Sequence, residues 1–456
     1  MDASHKRTRV LLVPDSMYWI TSTIARDICR YNPWIEPTII SMPVLRKLLS
    51  NNSGKYPGEV DIVHLLTPHI ATEFTGAFWP TTPCVAAIHH IEDDRSLAPA
   101  QQSDAIMTVC HQWHDELVAR GVPADKCVMV PNGADVALFS PTSNDERIAI
   151  RKRLGIPEGA FCVGFSGKKS SNTLNRKGID TFAAAMRLLA DVKDICFVIV
   201  GPGWHEFARE QRQAGINCVH IQFLIDRRDV ADFYKTIDCY WVTSKIEGGP
   251  VPLLEAMSSE VACISSPVGV ALEAVAADEN GFIAPFDRAD VYADVTRRLV
   301  ADPDMRSRIG RAARQTIVTR FQSSMSALAA GDLYDVAERR FRLRTQAATV
   351  GREEIRTTDV TNTGGSVSPE MLSSLPAKMR EGVAAEEHLA FMDHLVESGV
   401  KYAAIQIGLR AVKASPGRVT VWLRVLTAIP NMYAKRFKSW ISKNIPFLRT
   451  VYAKIR

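Results

Sequence analysis

Two glutamates stand eight positions apart in residues 244–257, SKIEGGPVPLLEAM, with two glycines and two prolines between them. Glu247 lies in the predicted loop after the apolar run CYWVTS, and Glu255 lies on the helix predicted from PLLEAMSS. Pro252 falls near the first turn of that helix, where proline is tolerated. The pattern therefore predicts a strand, a glycine-rich turn and the start of a helix.

This arrangement suits an anionic ligand that carries hydroxyl groups. A helix N-terminus has a partial positive charge and free N–H donors, and the two glycines leave the backbone accessible. Carboxylates on either side can accept hydrogen bonds from sugar hydroxyls, so the stretch predicts a site for a sugar nucleotide. An acidic side chain that stabilises a helix start beside a tight turn is the structural alternative.

Short apolar runs alternate with amphipathic stretches along most of the chain. RVLLVP, DIVHLL, PCVAAIHH, AIMTV and CVMVPNG are typical of buried strands, and TSTIARDICRY and QWHDELVARG of helices. The alternation stops at a polar break, SPTSNDERIAIRKRLGIPEGA, and then resumes from FCVGFSG to ACISSP. Strand–helix alternation predicts parallel sheets covered by helices on both faces. We therefore expect an α/β protein with two doubly wound domains that face a cleft, where such sheets bind ligands.

The predicted domains follow from these breaks. Residues 1–155 form one predicted Rossmann-like domain, residues 156–325 a second one, and residues 326–344 a helix. Residues 345–385 include TTDVTNTGGSVSPEMLSS, which is Ser/Thr/Gly-rich and predicts a flexible linker. Residues 386–456 form a helical, basic extension.

Composition argues against a membrane-spanning protein, a disulfide-bonded protein and a zinc-binding protein. The chain has 456 residues, 46% hydrophobic and 23% charged, and no apolar run long enough to span a bilayer. Its nine cysteines form no CxxC pair and lie mostly in apolar runs, which predicts reduced core residues of a cytoplasmic protein. Neither disulfides nor a zinc site is expected.

Several segments resemble glycosyltransferase family 4, whose retaining members have the two-domain GT-B architecture. EGGPVPLLEAM resembles its E-x7-E signature. The segments around VPNGADVALF, RKGIDTFAAAMRLL, FVIVGPGW and SSPVGVALEAVAADENGF follow in the order that the family has. The resemblance covers roughly residues 8–340. It implies that residues 1–155 are the acceptor domain, that residues 156–325 are the nucleotide-sugar donor domain, and that the helix of residues 326–344 returns to the first domain.

The resemblance implies a role for each matching residue. Glu247 would contact the hydroxyls of the donor sugar, Glu255 the nucleotide ribose, and Lys177 the diphosphate, whose departing charge needs a cation. His89, which ends a predicted strand, would lie at the cleft beside the transferred sugar. Backbone donors would come from the turn and first helical residues, namely Gly248, Gly249, Pro250, Val251, Pro252 and Leu253.

The cationic loop departs from the family pattern. Family members commonly have an arginine after the glycine that matches Gly167, and this chain has Lys168 there. Lysine supplies a point charge without the bidentate geometry of arginine. Arg176, beside Lys177, could substitute, and a solvated surface turn is the structural alternative for the whole loop.

Residues that would bind the acceptor have weaker signals in the sequence. His90 is a second candidate beside His89, although a histidine at a strand end is often a hydrogen-bonded structural residue. The first strand runs into PDSMYWITST, which lacks the family's glycine-rich turn, so Asp15 and Ser16 are acceptor candidates on position alone. The run from Glu92 to Asp94 has no D-x-D spacing and is interpreted as an exposed acidic loop. No metal and no cofactor are expected, since the nucleotide sugar is a co-substrate.

The C-terminal segment is strongly basic. Residues 401–456 contain twelve Lys or Arg and no Asp or Glu, so the net charge of +5 leaves −7 for the first 400 residues. Aromatic residues interleave with these cations, which favours an anionic membrane surface as partner. Packing against the acidic body is the alternative, and nucleic acid is not expected because no recognition motif is present.

These observations predict a retaining glycosyltransferase that moves a sugar from a nucleotide diphosphate to a glycan or lipid-linked acceptor. Such a reaction would serve cell-surface polysaccharide or glycolipid synthesis, on the cytoplasmic face of a membrane. A catalytically inactive glycan-binding or membrane-associated scaffold of the same fold is the alternative outside enzymes. An epimerase or phosphorylase of related architecture is the alternative within them.

Overall fold

The computed structural model describes residues 7–93, 97–170 and 176–353, with side chains to residue 346, and seven single residues beyond them (388, 389, 392, 408, 410, 411 and 421). The chain divides into two compact units, Met1–Leu372 and Ser373–Arg456. Apart from those seven residues, the predicted basic extension lies outside the described residues, as does most of the predicted linker. Both predicted α/β domains lie in the first unit.

The first domain is a six-stranded parallel sheet with the strand order β2-β1-β3-β4-β5-β6. Its strands are β1 (Thr8–Val13), β2 (Ile35–Ile39), β3 (Ile62–Leu65), β4 (Cys84–Ile88), β5 (Ala105–Thr108) and β6 (Cys127–Met129). Its helices are α1 (Ile20–Tyr31), α2 (Met42–Asn51), α3 (Pro68–Phe78), α4 (Ala98–Gln101) and α5 (His111–Ala119). Strands β3, β4 and β5 are buried along their whole length, as continuous apolar runs in a covered sheet should be.

The second domain is also six-stranded and parallel, with the order β12-β11-β10-β7-β8-β9. Its strands are β7 (Phe161–Ser166), β8 (Ile195–Val200), β9 (Cys218–Ile221), β10 (Cys239–Val242), β11 (Ala262–Ser265) and β12 (Phe282–Ile283). Its helices are α6 (Asn144–Leu154), α7 (Ile179–Leu188), α8 (His205–Gln213), α9 (Arg227–Thr236), α10 (Val251–Ser258), α11 (Ala271–Ala274), α12 (Ala289–Ala301) and α13 (Pro303–Arg320). The strand order reverses between β7 and β10, so the ligand crevice is expected at their carboxyl ends. The predicted fold class is confirmed by these two sheets.

The predicted polar break contains a helix, which corrects the sequence interpretation. Ser143 caps α6 by accepting a hydrogen bond from the Glu146 amide at 3.2 Å, and Gly155 ends it in the left-handed conformation. Arg151 of α6 is buried and donates to the Thr236 carbonyl at 2.9 Å, so the helix packs on the second domain. The domain boundary therefore lies near residue 143, not near residue 155.

Helix α14 (Ser323–Glu353) returns to the first domain. Ala327, Ala330, Tyr334 and Ala337 recur at helical spacing and are buried in the apolar core of the first sheet. The helix starts before the predicted residue 326. It also continues to Glu353, so the prediction that a linker begins at residue 345 is wrong.

The chain crosses between the domains twice, and the two crossings are hydrogen-bonded to each other. The Ala134 amide donates to the Phe321 carbonyl at 2.9 Å, and the Ser323 amide donates to the Ala134 carbonyl at 3.0 Å. A side chain at Gly133 would overlap the backbone of Gln322, so this position requires glycine. Within the residues described, no helix is both long and apolar enough to traverse a bilayer.

Candidate active site

A cavity of about 990 Å³ lies between the two domains, at the carboxyl ends of β4, β7 and β10. It is lined by the candidate residues named from the sequence, with two exceptions. Ser16 is absent from the lining, because its amide and hydroxyl turn to Asp15 and Tyr18 within its own loop. Leu253 is fully buried in the core beneath the site.

Glu247 is at the centre of the charged part of this cleft. It is 9% exposed, and its carboxylate pairs with the Lys177 ammonium and accepts a hydrogen bond from the Ser244 hydroxyl at 3.0 Å. A guanidinium nitrogen of Arg176 lies 3.8 Å from its second oxygen. Burial alone would raise the pKa of Glu247, but the charges of Lys177 and Arg176 outweigh it and the net pKa is lowered. Glu247 is therefore ionised at neutral pH.

The local backbone explains why Lys177 meets Glu247. Gly178 adopts φ +60° directly against the Thr243 carbonyl, where a Cβ would overlap the oxygen. The Thr243 hydroxyl donates to the Lys177 carbonyl at 2.8 Å, and the Lys245 amide donates to the Arg176 carbonyl at 2.7 Å. The lysine-glycine turn is thus fixed to the loop after β10, and both cations point into the cleft. Lys168 and Gly167 also line it, from the loop after β7.

The glycines of the Gly248-Gly249 turn serve a purpose that the sequence did not suggest. A Cβ at Gly248 would overlap the carbonyl oxygen of His89, and one at Gly249 would overlap the side chain of Asn132. Both contacts come from the first domain, and Asn132 also donates to the Gly249 carbonyl at 3.0 Å. The two domains therefore meet closely at this turn, and glycine is needed for that approach.

Trp113, at the start of α5, adds a further contact across the same boundary. Its indole N–H donates to the Glu247 carbonyl at 2.8 Å. The backbone of the candidate catalytic residue is therefore held by the first domain while its side chain is held by the second.

The N-terminus of α10 faces this cleft and has no side-chain cap. The predicted set of backbone donors is nevertheless wrong at three positions. Pro250 and Pro252 have no N–H, and the Leu253 amide already donates to the Pro250 carbonyl at 2.8 Å. Gly248, Gly249 and Val251 remain as the backbone donors that this turn can offer to an anion.

Glu255 is almost fully buried, at 2% exposure, but it lines the cleft. It forms an ion pair with Arg227 at 2.5 Å. Arg227 lines the cleft, and its guanidinium lies 4.8 Å from the centre of the Phe139 ring. Burial would lower the pKa of Arg227, but the charge and hydrogen bond of Glu255 raise it overall. The ion pair of Arg227 and Glu255 therefore forms part of the cleft wall.

Both histidines line the cleft, with different partners. His89 donates from Nε2 to the Leu66 carbonyl at 2.9 Å, and burial lowers its pKa to about 4, so its ring is neutral. His90 lies 3.1 Å from a Glu92 oxygen, and its pKa is lowered by burial and by the charge of Arg176. Glu92, which the sequence placed in an exposed acidic loop, is half-exposed but belongs to the cleft wall.

The loop after β1 brings an aromatic residue across the cleft. Asp15 turns to its own loop, where its carboxylate accepts from the Ser16 amide at 2.9 Å. Trp19 makes an edge contact with Phe223 of the second domain, with ring centroids 5.1 Å apart. Bulky side chains thus occupy the place where the resembling family has a glycine-rich turn.

Sequence reasoning missed four residues of this site, namely Arg227, Glu92, Asn132 and Trp113. Asn132 does carry a local signal, because it belongs to the segment VPNGADVALF, which resembles glycosyltransferase family 4. The others carry no local signal, since their roles depend on contacts with distant parts of the chain. In the described ranges, no three His, Cys, Asp or Glu side chains lie close enough to hold a metal ion together.

Comparison with known proteins adds an independent line of evidence. Residues 146–316 match the family model described as glycosyl transferases group 1. A D-inositol 3-phosphate glycosyltransferase of Xylanimonas cellulosilytica is 28% identical over 249 residues, which are 52% of this chain and 58% of that protein. One of the same name from Streptomyces avermitilis is 25% identical over 331 residues, covering 65% and 69% of the two chains. The match thus spans less than two thirds of the first relative.

Solved structures show the same fold. Anabaena Alr3699/HepE in complex with UDP and glucose superposes with a TM-score of 0.61 at 16% identity, covering 72% of this chain and all of the other. A sucrose-phosphate synthase from Thermosynechococcus elongatus superposes with a TM-score of 0.57 at 17% identity, covering 72% and 98%. At this identity the likeness concerns the fold alone.

Proposed function

We propose that this chain, whose residues 146–316 match the model of glycosyl transferases group 1, is a GT-B glycosyltransferase that transfers a sugar from a nucleoside diphosphate with retention of configuration. The acceptor is a hydroxyl of a glycan or lipid-linked glycan, and the product belongs to cell-surface polysaccharide or glycolipid synthesis. One observation carries the proposal. Glu247, Lys177 and Arg176 converge beside the uncapped N-terminus of α10, inside the cleft between the domains.

The geometry assigns a role to each group at this point. A diphosphate can be held by the amides of the glycine turn and by the two cations, which stabilise the negative charge that develops on the leaving group. Glu247, ionised and fixed by Ser244, can accept hydrogen bonds from hydroxyls of the donor sugar. Lys177 pairs with Glu247, so a bound diphosphate would share Lys177 with it.

The reaction is a same-face substitution at the anomeric carbon. The bond from that carbon to the diphosphate oxygen breaks, a bond to the acceptor oxygen forms on the same face, and the acceptor proton passes to the departing diphosphate. No protein nucleophile is required, which agrees with the engagement of Glu247 by two cations. The same cations and the helix terminus would take the place of a metal ion.

The experiment is a donor screen followed by product analysis. Purified protein is melted in the presence of UDP-, GDP- and ADP-sugars, because a ligand that binds the folded state raises the melting temperature by mass action. The donor that stabilises is then assayed for release of nucleoside diphosphate, and the anomeric configuration of the product is read by NMR. We expect Glu247→Gln to abolish transfer and largely to spare binding of the nucleoside diphosphate. Wild-type turnover by that variant, or an inverted product, would contradict the proposal.

A further inference from the structure

One arginine of the second domain bridges a carboxylate of each domain. The Nε of Arg176 lies 3.3 Å from a Glu92 oxygen, and one of its terminal nitrogens lies 3.8 Å from a Glu247 oxygen. The same Glu92 oxygen lies 3.1 Å from Nε2 of His90. The bridge is therefore a contact between the acceptor side and the donor side of the cleft.

From this bridge we propose that Glu92 is an acceptor-side carboxylate, which Arg176 occupies while the donor site is empty and leaves when a diphosphate binds. The inference rests on the proposed function, since it assigns a second role to a cation of the same site. It goes beyond that function by naming the residues that receive the acceptor.

Charge balance supports the exchange. The two carboxylates Glu92 and Glu247 face the two cations Arg176 and Lys177, so the charges of these four groups sum to zero. A diphosphate adds at least two negative charges, and the planar guanidinium of Arg176 fits phosphate oxygens in a bidentate manner. Glu92 then competes with the diphosphate for one arginine.

The exchange requires little energy, because the pair that breaks is weak. The side chain of Glu92 is 51% exposed and that of Arg176 is 23% exposed. Ion pairs with a solvent-exposed partner typically contribute between about 0.2 and 1 kcal/mol. The pair of Arg176 with Glu92 can therefore be replaced by a charge-assisted bond to phosphate without a large penalty.

The released groups suit a polyhydroxylated ring as acceptor. A carboxylate only accepts hydrogen bonds, so the hydrogen between His90 and Glu92 is carried by Nε2, and Nδ1 of the neutral ring remains an acceptor. Glu92 and His90 together can then accept hydrogen bonds from two hydroxyls of one ring. Glycans and cyclitols offer such hydroxyl pairs, and the acceptor is expected to bind only after the donor.

Glu92→Gln separates this proposal from a structural role, because it predicts effects of opposite sign. Calorimetric titration with UDP and GDP should show binding about two- to fivefold tighter than wild type, since Arg176 loses its competitor. Transfer at saturating donor should fall at least about tenfold, the change expected when a hydrogen bond from the acceptor to a charged group is lost. Unchanged or weaker binding of both nucleotides would overturn the proposal.

Glu73→Gln is the matched control. Glu73 lines the same cleft, but its carboxylate is paired with Arg46 at 2.6 Å. This substitution removes the same charge from the same wall and should leave nucleotide affinity unchanged. If Glu73→Gln tightens nucleotide binding as much as Glu92→Gln does, then any loss of negative charge from this wall has the same effect. The proposed competition between Glu92 and the diphosphate for Arg176 would then be refuted.

A second titration tests the order of binding. myo-Inositol and methyl α-glucoside are added to wild-type protein with and without UDP, and binding is followed by saturation-transfer NMR. Binding only in the presence of UDP is expected, and equal binding in both states, or none in either, overturns the acceptor assignment. If neither UDP nor GDP binds the wild type and no sugar nucleotide stabilises it, the proposed function fails with the inference. If nucleotide binds and Glu92→Gln does not bind it more tightly, only the inference fails.

Discussion

Lys177→Met should destabilise the second domain, because it leaves Glu247 buried without its nearest cation. Removing one partner of a buried ion pair costs about 3–5 kcal/mol. Glu247 keeps the Ser244 hydroxyl at 3.0 Å and Arg176 at 3.8 Å, and Lys177 is itself one-fifth exposed. We therefore expect a smaller loss, about 2 kcal/mol at pH 7.

The loss should depend on pH in a way that identifies its origin. In the wild type the pKa of Glu247 is lowered, so its stabilising contribution is present above the ordinary pKa of a glutamate and disappears as pH falls through the folded value. Without Lys177, burial, which raises the pKa of Glu247, becomes the dominant influence. The variant is then favoured at low pH and loses stability as pH rises through its new value. The difference between the two proteins should therefore grow from pH 4 to pH 7.

Melting curves recorded from pH 4 to pH 8 measure this directly. For a domain of 150–250 residues a loss of 1 kcal/mol lowers the melting temperature by about 2–4 °C, so a drop of about 4–8 °C is expected at pH 7. The double variant with Glu247→Gln should recover most of it, because it no longer buries an unpaired charge. Lys245→Met is the control, since that lysine pairs at 2.8 Å with the exposed Asp287 and should change little. A Lys177→Met protein as stable as wild type at every pH would refute the burial of a charged Glu247.

Four further predictions concern other parts of the molecule. Gly248→Ala should lower turnover at least tenfold while each domain still folds, because the added Cβ overlaps the His89 carbonyl; wild-type activity would contradict the close approach. Arg227→Gln should weaken binding of UDP but not of 2′,3′-dideoxy-UDP, since Arg227 holds Glu255 for the ribose hydroxyls; equal weakening would refute this. Activity should persist in excess EDTA, and loss on chelation with recovery on adding Mg²⁺ or Mn²⁺ would contradict a metal-free site. Truncation after Glu353 should release the protein from anionic vesicles and spare transfer to a soluble acceptor, whereas loss of folding would favour packing of the tail on the body.

The catalytic candidates could be predicted because their signals are local. Glu247 and Glu255 are spaced around a turn and a helix start, and parallel sheets place such turns at the same edge. The resemblance to glycosyltransferase family 4 is confirmed, and it gave the order of the segments. The roles of the individual residues stay predictions, because they concern a ligand.

Other features depend on contacts that a sequence does not display. Strand β2 has only one fully buried residue and contains Pro37, so its pattern is not that of a buried strand. Helix α6 is largely polar and buries only Ile150 and Arg151, so its sequence predicts a break between domains and not a helix. Arg227 and Glu92 gain their importance from partners 28 and 84 positions away along the chain, respectively, which no local pattern encodes.

The return of α14 to the first domain has a consequence for synthesis of the chain. Strand β6 ends at Met129, yet the helix that covers this sheet begins only at Ser323, about 190 residues later. Ribosomes add about 5–20 residues per second. The face of the sheet that packs against Ala330 and Tyr334 therefore stays exposed for roughly 10–40 s before α14 is synthesised. The N-terminal sheet therefore cannot complete its folding first, although it emerges first. A nascent chain arrested before α14 would expose an apolar surface that chaperones recognise.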